Sequence, residues 1–262
     1  MSSFFPINQY LSAMRLLSGL RQIFDSLQST FFPSYCVVCG KRLSAVEEIT
    51  CIKCLAHLPL TGIKGKKGNI IERILWDYTI DTQRANSFLF YYPQSPYCNI
   101  YFHFKYYGHP EVAVAYGKLM AMDLLDTGFF AGVDCIVPVP LSAKRLRKRG
   151  YNQSERLAFG VGLVTGLPVI TDAVARKVDN TTQTRLTTQE RRENVENIFT
   201  LVRPEALNGK HVLLIDDVIT TGSTIKSCAY AIMQAKNVKL SVLTLGTSAK
   251  NWQASFPENI YV

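Results

Sequence analysis

The sequence predicts an α/β fold in which a parallel sheet is flanked by helices and preceded by a small cysteine-rich module. Short apolar segments alternate with helical patterns over the second half of the chain, as in parallel sheets. Four cysteines in two close pairs precede them, at a spacing suited to a metal ion. With 262 residues, the chain is long enough for one sizeable domain and one small module.

The composition is that of a globular protein with a preference for anionic partners. Hydrophobic residues make up 47% of the chain, charged residues 19%, and the formal net charge is +9. This charge predicts phosphorylated small molecules, nucleic acid or an acidic membrane surface as partners. No apolar run approaches the ~20 residues of a transmembrane helix, and a secretory signal pattern is lacking. Seven cysteines suit a reducing compartment, so we expect a cytoplasmic protein without a membrane span.

The chain divides into four predicted regions. Residues 1–30 carry apolar residues with a period of roughly 3.6, which predicts an N-terminal helical segment. Residues 31–62 contain the paired cysteines, and residues 63–108 form a basic linker followed by an aromatic hood region. Residues 109–262 hold the α/β domain, and Cys135–Pro140 is its expected first strand.

The cysteine pairs predict a structural zinc site. Cys36 and Cys39 form one Cys-x₂-Cys hook, and Cys51 and Cys54 form another after eleven intervening residues. Four thiolates can surround zinc as a tetrahedron, and such a closed shell holds structure or binds a partner without taking part in chemistry. Four ordinary reduced cysteines are the alternative.

A second motif predicts a site for a sugar phosphate. The apolar run 212–215 is followed by Asp216 and Asp217, and then by a hydroxyl-rich turn into a helix, formed by Thr220, Thr221, Gly222, Ser223 and Thr224. The N–H groups, the hydroxyls and the helix N-terminus favour a phosphate. Carboxylates would repel that phosphate, so we expect them to accept hydrogen bonds from the 2′- and 3′-hydroxyls of a ribose. The motif therefore predicts a cradle for ribose 5-phosphate.

A run of cations follows the predicted strand at 135–140. It comprises Lys144, Arg145, Arg147, Lys148 and Arg149. In open parallel sheets, ligands bind beyond the carboxyl ends of the strands, so we expect these residues to meet a polyanion near the cradle. A solvated helix face is the alternative explanation.

Half of the residues from 88 to 107 are aromatic, and Pro93 and Pro96 predict that they form two extended pieces. We expect a hood or packing surface here; the alternative is a stacking platform for single-stranded nucleic acid. The polar stretch 171–197 is long for a loop and is a candidate lid.

These motifs resemble the ComF family. The resemblance rests on the paired cysteines, on Phe104-Lys105-Tyr106-x-Gly108, on Val137-Pro138-Val139-Pro140-Leu141, and on Arg145-Leu146-x-x-Arg149-Gly150-Tyr151-Asn152-Gln153. Arg176, Thr182-Gln183, Arg191-Arg192 and Asn194 continue it, and the stretch 216–224 completes it. The matching motifs span roughly residues 33–246.

The resemblance implies a type I phosphoribosyltransferase-like fold with an N-terminal zinc finger, and a link to natural competence and DNA uptake. It implies that phosphoribosyl pyrophosphate (PRPP) binds with Mg²⁺. The acid pair would then hold the ribose and favour positive charge on its ring, and residues 220–224 would hold the 5-phosphate. We expect Arg145 and Arg149 at the pyrophosphate, and Lys144, Arg147 and Lys148 are candidates for binding DNA.

Two functions stay open at this point. The chain could bind PRPP and handle single-stranded DNA together with competence or recombination proteins. Alternatively, it could be an active phosphoribosyltransferase that transfers ribose 5-phosphate from PRPP to a nucleobase or another small acceptor. The sequence identifies no acceptor.

Overall fold

The computed structural model of the protein describes residues 34–80, 82–177 and 198–248. The chain forms two compact units, one that ends at His57 and one that begins at Leu58. The predicted N-terminal helical segment lies outside the described residues, and so do residues 178–197 of the candidate lid. The four predicted regions stay a prediction.

The first unit contains the four paired cysteines and one short helix, α1 (Ile52–Ala56). The Glu47 carboxylate organises the segment between the two hooks. It accepts hydrogen bonds from the Ser44 amide at 2.8 Å and from the Ile52 amide at 2.7 Å. One side chain thus fixes the start of α1 relative to the preceding turn.

The second unit is built around a four-stranded, all-parallel sheet with the order β1-β6-β5-β2. Its strands are β1 (Thr82–Tyr91), β2 (Cys135–Pro138), β5 (His211–Ile219) and β6 (Lys239–Ser248). A small antiparallel pair is formed by β3 (Val174–Arg176) and β4 (Phe199–Leu201). The central strands β5 and β6 are almost continuously buried, as expected for a sheet covered on both faces.

Helices lie on both faces of this sheet. They are α2 (Ile70–Leu75), α3 (Cys98–Tyr106), α4 (Pro110–Met122), α5 (Ala143–Arg149), α6 (Gln153–Thr165) and α7 (Ser223–Ile232). Short 3₁₀ turns occur at Leu125–Thr127 and Pro204–Ala206. Buried residues of α2 and α7 join Val212, Leu214 and Val242 in one apolar core, and α6 contacts β2 and β5.

Helices α4 and α6 cross with their backbones in contact. A Cβ atom on Gly117 would lie 2.2 Å from the Leu157 carbonyl oxygen, and one on Gly160 would lie 2.2 Å from the Val114 carbonyl oxygen. Only glycine fits at these two positions. The crossing fixes α6, whose first turn contributes to the site described below.

Two expectations about the aromatic region are wrong. Cys135 does not begin the first strand of the core sheet, because β1 lies earlier and pairs in parallel with the last strand, β6. The interior of β1 holds the buried polar residues Asn86 and Ser87, and these interrupt the apolar pattern by which a core strand is recognised. The second aromatic piece is the helix α3, not an extended segment, and it buries Tyr101 and Phe104 at helical spacing.

Both corrections give the aromatic region a packing role. Phe88, Tyr101 and Phe104 are almost completely buried.

Within the described ranges, no helix is long and apolar enough to cross a bilayer.

Candidate functional site

A cavity of about 810 Å³ opens where β2 and β5 end. Five cations and two acids line it: Lys105, Arg145, Lys148, Arg149, Arg176, Asp216 and Asp217. Its other walls include Tyr106, Tyr107, Gln153, Ser154 and Thr224. The cavity therefore lies at the carboxyl edge of the parallel sheet, where the sequence predicted a ligand.

The acid pair lies inside β5, since the strand continues to Ile219. Asp216 and Asp217 are each only 7% exposed. The Ser154 hydroxyl, in the first turn of α6, donates a hydrogen bond to Asp216 Oδ1 at 2.9 Å, and the Asp217 amide donates to the same oxygen at 2.9 Å. Strand and helix thus hold the Asp216 carboxylate in one position.

Asp217 has a different partner. Lys105 Nζ, from the last turn of α3, lies 2.8 Å from Asp217 Oδ2 as an ion pair, without the alignment of a hydrogen bond. The ammonium also lies 5.7 Å from the centre of the Tyr101 ring. This ion pair connects the aromatic helix directly to the acid pair.

The surroundings of Asp216 favour its neutral form. Burial and the adjacent Asp217 carboxylate raise the pKa of Asp216 to about 7, against the lowering effect of its hydrogen bonds and of Lys105. A carboxyl with such a pKa changes its charge near neutral pH. The ability of Asp216 to accept hydrogen bonds from a ligand in the cavity therefore depends on pH.

The hydroxyl-rich turn joins β5 to α7, and Gly222 is the N-cap of that helix with φ +77°. A Cβ atom there would lie 3.0 Å from Ile74 Cγ2, so the turn packs against the end of α2. The hydroxyls of Thr221 and Ser223 lie 3.1 Å apart, and Thr224 lines the cavity. The helix N-terminus and these hydroxyls suit an anion at this place.

The cation cluster lies on α5, whose two ends are well defined. Ser142 Oγ accepts a hydrogen bond from the Arg145 amide at 3.3 Å, and Gly150 ends the helix with φ +84°. Arg145, Lys148 and Arg149 line the cavity because residues three and four apart share one helix face.

Lys144 and Arg147 do not line the cavity. Lys148 was predicted to bind DNA together with those two residues, but it lines the cavity beside Arg145 and Arg149. Arg149 also donates a hydrogen bond to Gln153 Oε1.

The polar lining residues Lys105, Ser154 and Arg176 are among those to which the sequence assigned no site role. Lys105 and Arg176 belong to motifs that carry the family resemblance, which could have pointed to them. Ser154 has no comparable signal, because its role depends on the packing of α6 against β5.

The four paired cysteines lie together in the first unit. Their sulfur atoms are all within 4.8 Å of one another, and Cys39 Sγ is 3.8 Å from Cys51 Sγ. Metal–sulfur bonds of about 2.3 Å in a regular tetrahedron give sulfur–sulfur separations of about 3.8 Å. The cluster could therefore hold a structural metal ion.

The thiols of this cluster differ in acidity. Burial raises the pKa of Cys36, but amide hydrogen bonds, including one from Cys51 N at 3.3 Å, lower it to about 7 overall. Burial and the other thiols raise the pKa of Cys54. A bound cation would relieve this repulsion between thiolates.

No family model matches the chain. The DNA utilization protein YhgH of Escherichia coli K12 is 29% identical over 202 residues, which are 76% of this chain and 84% of the relative. Competence protein F of Haemophilus influenzae is 39% identical over 35% of this chain and 41% of the relative. Competence protein ComFC of Bacillus subtilis is 32% identical over 42% of this chain and 43% of the relative.

Solved structures similar to this one include glutamine PRPP amidotransferase from B. subtilis, with a TM-score of 0.37 and 19% identity over 54% of this chain and 30% of that one. An adenine phosphoribosyltransferase gives a TM-score of 0.36 and 17% identity over 63% of this chain and 85% of that one.

The parallel sheet is flanked by helices, and the acid pair and the hydroxyl-rich turn lie at its carboxyl edge, as the sequence predicted. The relatives are a DNA utilization protein and two competence proteins, and they support the resemblance of this chain to the ComF family.

The raised pKa of Asp216 predicts a pH-dependent cost to stability. Because the pKa is about 7 in the folded protein and ordinarily 3.8, the folded state binds the proton more tightly, and stability is lost as pH rises between these values. We therefore expect Asp216→Asn to stabilise the protein more at pH 8 than at pH 4. The gain in the free energy of unfolding, measured against the natural protein, should be larger at pH 8 by up to about 4 kcal/mol. Urea unfolding at both pH values measures this difference.

The exposed Asp126 provides the control, and Asp126→Asn should behave alike at the two pH values. If Asp216→Asn shows no more pH dependence than this control, the carboxyl is not held in the neutral form at pH 4–7.

Proposed function

We propose that the cavity binds PRPP together with Mg²⁺, and that the protein uses this site while handling single-stranded DNA during DNA uptake in the cytoplasm. The observation that carries the proposal is the arrangement of the lining. The acid pair and Thr224 of the hydroxyl-rich turn line the cavity, and so do three cations of α5; the rest of the turn follows the end of β5 directly.

Each part of PRPP has a matching group. Residues Thr220–Thr224 would surround the 5-phosphate at the N-terminus of α7. Asp216 and Asp217 would accept hydrogen bonds from the ribose hydroxyls. Arg145 and Arg149 would bind the pyrophosphate, since guanidinium groups form paired hydrogen bonds with phosphate oxygens. Lys148 and Arg176 add positive charge to the same wall.

The ion pair of Lys105 and Asp217 has to adjust when a ribose binds. Its ammonium is at one of the oxygens that would accept from a sugar hydroxyl. A ribose hydroxyl would therefore share Asp217 with Lys105 or displace it. Lys105 is then free to move toward the anionic ligand without leaving the cavity.

The oxygen-rich site is compatible with Mg²⁺. A hard cation prefers oxygen ligands, which the carboxylates and the pyrophosphate both supply. When bound, Mg²⁺ neutralises charge on the pyrophosphate. The residues of the chain then have the tasks of orienting the sugar and favouring positive charge on its ring.

The role in DNA handling is supported by the relatives. One is a DNA utilization protein and two are competence proteins. The net charge of +9 suits a polyanion, and Lys144 and Arg147 on α5 are exposed and do not line the cavity. We propose these two residues as a phosphate contact, with competence or recombination proteins as further partners.

A second candidate function is phosphoribosyl transfer. The volume of about 810 Å³ falls within the range of about 300–1,000 Å³ typical of ligand pockets, and Tyr106 and Tyr107 offer aromatic walls to an acceptor. In this case Asp216 and Asp217 would stabilise the positively charged sugar as pyrophosphate leaves, and a nucleobase or another small acceptor would attack C1.

We further propose that the cysteine cluster binds zinc in a structural role, because four thiolates fill the tetrahedral shell and leave no position for a substrate.

The zinc proposal predicts about one zinc ion per chain in protein purified without added metal, by elemental analysis. Cys51→Ser with Cys54→Ser should lose the ion, whereas Cys98→Ser with Cys228→Ser, which alters two buried cysteines outside the cluster, should retain it. Unchanged zinc content in the first variant would place the ion elsewhere.

The PRPP proposal predicts that Asp216→Ala with Asp217→Ala weakens PRPP binding about 10- to 100-fold, as loss of hydrogen bonds to charged groups costs about 1.5–3 kcal/mol. Thr221→Ala should also weaken it, and the exposed Asp126→Ala should not. Titration calorimetry measures these affinities. Binding by the natural protein should weaken as pH falls through about 7, because a protonated Asp216 loses acceptor capacity.

If the double variant binds PRPP as tightly as the natural protein does, the two acids do not contact the ribose. Pyrophosphate release in the presence of a panel of bases decides between binding alone and transfer.

The DNA proposal predicts that Lys144→Ala with Arg147→Ala weakens binding of single-stranded DNA and spares PRPP binding. If both residues contact phosphates, the slope of log affinity against log salt should fall by about 1.4. Lys236→Ala with Lys239→Ala is the charge-matched control, since these exposed residues lie at the opposite edge of the sheet. Equal losses in both variants would indicate a general charge effect without a defined contact.

A further inference from the structure

An exposed aromatic pair lies in the loop after α2. Trp76 is 62% exposed and Tyr78 is 91% exposed. Their ring centroids are 4.4 Å apart with an interplanar angle of 66°, an edge-to-face arrangement. In this geometry the contact between the two rings covers at most one face of either ring. Single exposed aromatics are common on proteins, but two that contact each other form a continuous apolar surface.

This pair is adjacent to the hydroxyl-rich turn. Ile74 and Leu75, which directly precede Trp76, are the residues against which Gly222 packs. Lys226, in the first half of α7, donates a hydrogen bond from Nζ to the Trp76 carbonyl oxygen at 3.4 Å. The aromatic pair therefore lies beside the turn that we assign to a phosphate, outside the cavity lining.

The loop that carries the pair is held at several points. The Asn69 side chain caps α2 by accepting from Ile71 N and Glu72 N. Asp77, between the two aromatic residues, accepts from the Tyr230 hydroxyl at 2.6 Å and from the Thr79 hydroxyl at 2.7 Å. A surface fixed in this way loses little conformational entropy when a ligand binds.

The charges around the pair favour an anion. The nearby acids are engaged within the fold: both Asp77 oxygens accept the hydrogen bonds above, and Glu72 accepts from Gly68 N at 2.6 Å and from Ala85 N at 3.3 Å. Arg73 is exposed one turn before Trp76, and Lys226 contacts the Trp76 backbone. Open aromatic faces with cations alongside are the combination that binds single-stranded nucleic acid.

We propose that Trp76 and Tyr78 form a stacking platform for bases of single-stranded nucleic acid, with Arg73 and Lys226 beside its phosphates. The inference rests on the proposed DNA handling and adds a contact separate from Lys144 and Arg147. Because every base has an aromatic face, the platform binds with little sequence preference.

Tryptophan fluorescence tests the platform directly. The chain has two tryptophans, so Trp252→Phe leaves Trp76 as the only one. In this full-length variant we expect a dT oligonucleotide to quench the emission of Trp76 in a saturable manner. An abasic oligonucleotide of equal length supplies the phosphates without bases, so it should bind more weakly and leave the emission largely unquenched.

Binding measurements provide the second arm. Trp76→Ala with Tyr78→Ala should weaken binding of the dT oligonucleotide about tenfold or more, because the bases lose the aromatic rings on which they stack. Trp76→Phe with Tyr78→Phe should retain most of the affinity. Tyr92→Ala, at another exposed aromatic residue, is the control and should bind normally. PRPP binding should be unchanged in all of these variants, which also verifies their folding.

The outcomes separate the two proposals. If the natural protein binds DNA and the Ala variant binds equally well, the platform is wrong and the proposed DNA handling stands. If the natural protein does not bind DNA even at low salt, the proposed DNA handling itself is wrong. Emission from Trp76 that acrylamide cannot quench in the free protein would show that the pair is covered, and would also overturn the platform.

Discussion

The site depends on keeping two adjacent carboxylates buried at the end of β5. Removing a charge from water costs several kcal/mol unless other groups compensate, and two acids side by side also repel each other. The fold compensates with one group from each of two helices: the Ser154 hydroxyl from α6 and the Lys105 ammonium from α3. Because these contacts converge on one strand, the positions of both helices are coupled to the chemistry of the cavity.

The sequence was informative where local pattern and function coincide. The acid pair and the hydroxyl-rich turn at 216–224 are consecutive residues of a strand, a turn and a helix start, so their order along the chain predicts their place in the fold. The paired cysteines are similar, since each hook is a local unit, and the structure confirms that the four sulfur atoms come together. The cation cluster was placed at the correct edge by the general rule for parallel sheets.

Contacts between distant segments were harder to predict. Nothing in the local pattern around residues 82–91 indicates a partner in the last strand, and the buried Asn86 and Ser87 interrupt its apolar character. Proline positions suggested an extended segment after residue 93, yet burial of Tyr101 and Phe104 stabilises a helix there. The sequence also did not reveal which cations of α5 line the cavity, because this depends on how the helix is rotated about its own axis.

The pairing of β1 with β6 has a consequence for how the protein is made. Thr82 pairs with Leu240, so this edge of the sheet cannot form until residue 240 has left the ribosome, long after β1 has been synthesised. Until then β1 exposes an unpaired edge and aromatic side chains, a state prone to aggregation. The paired cysteines are synthesised before β1, and their sulfur atoms come together within the first unit alone, so this cluster can form while the sheet is still incomplete. We therefore expect the two units of the nascent chain to fold one after the other, the first before the second.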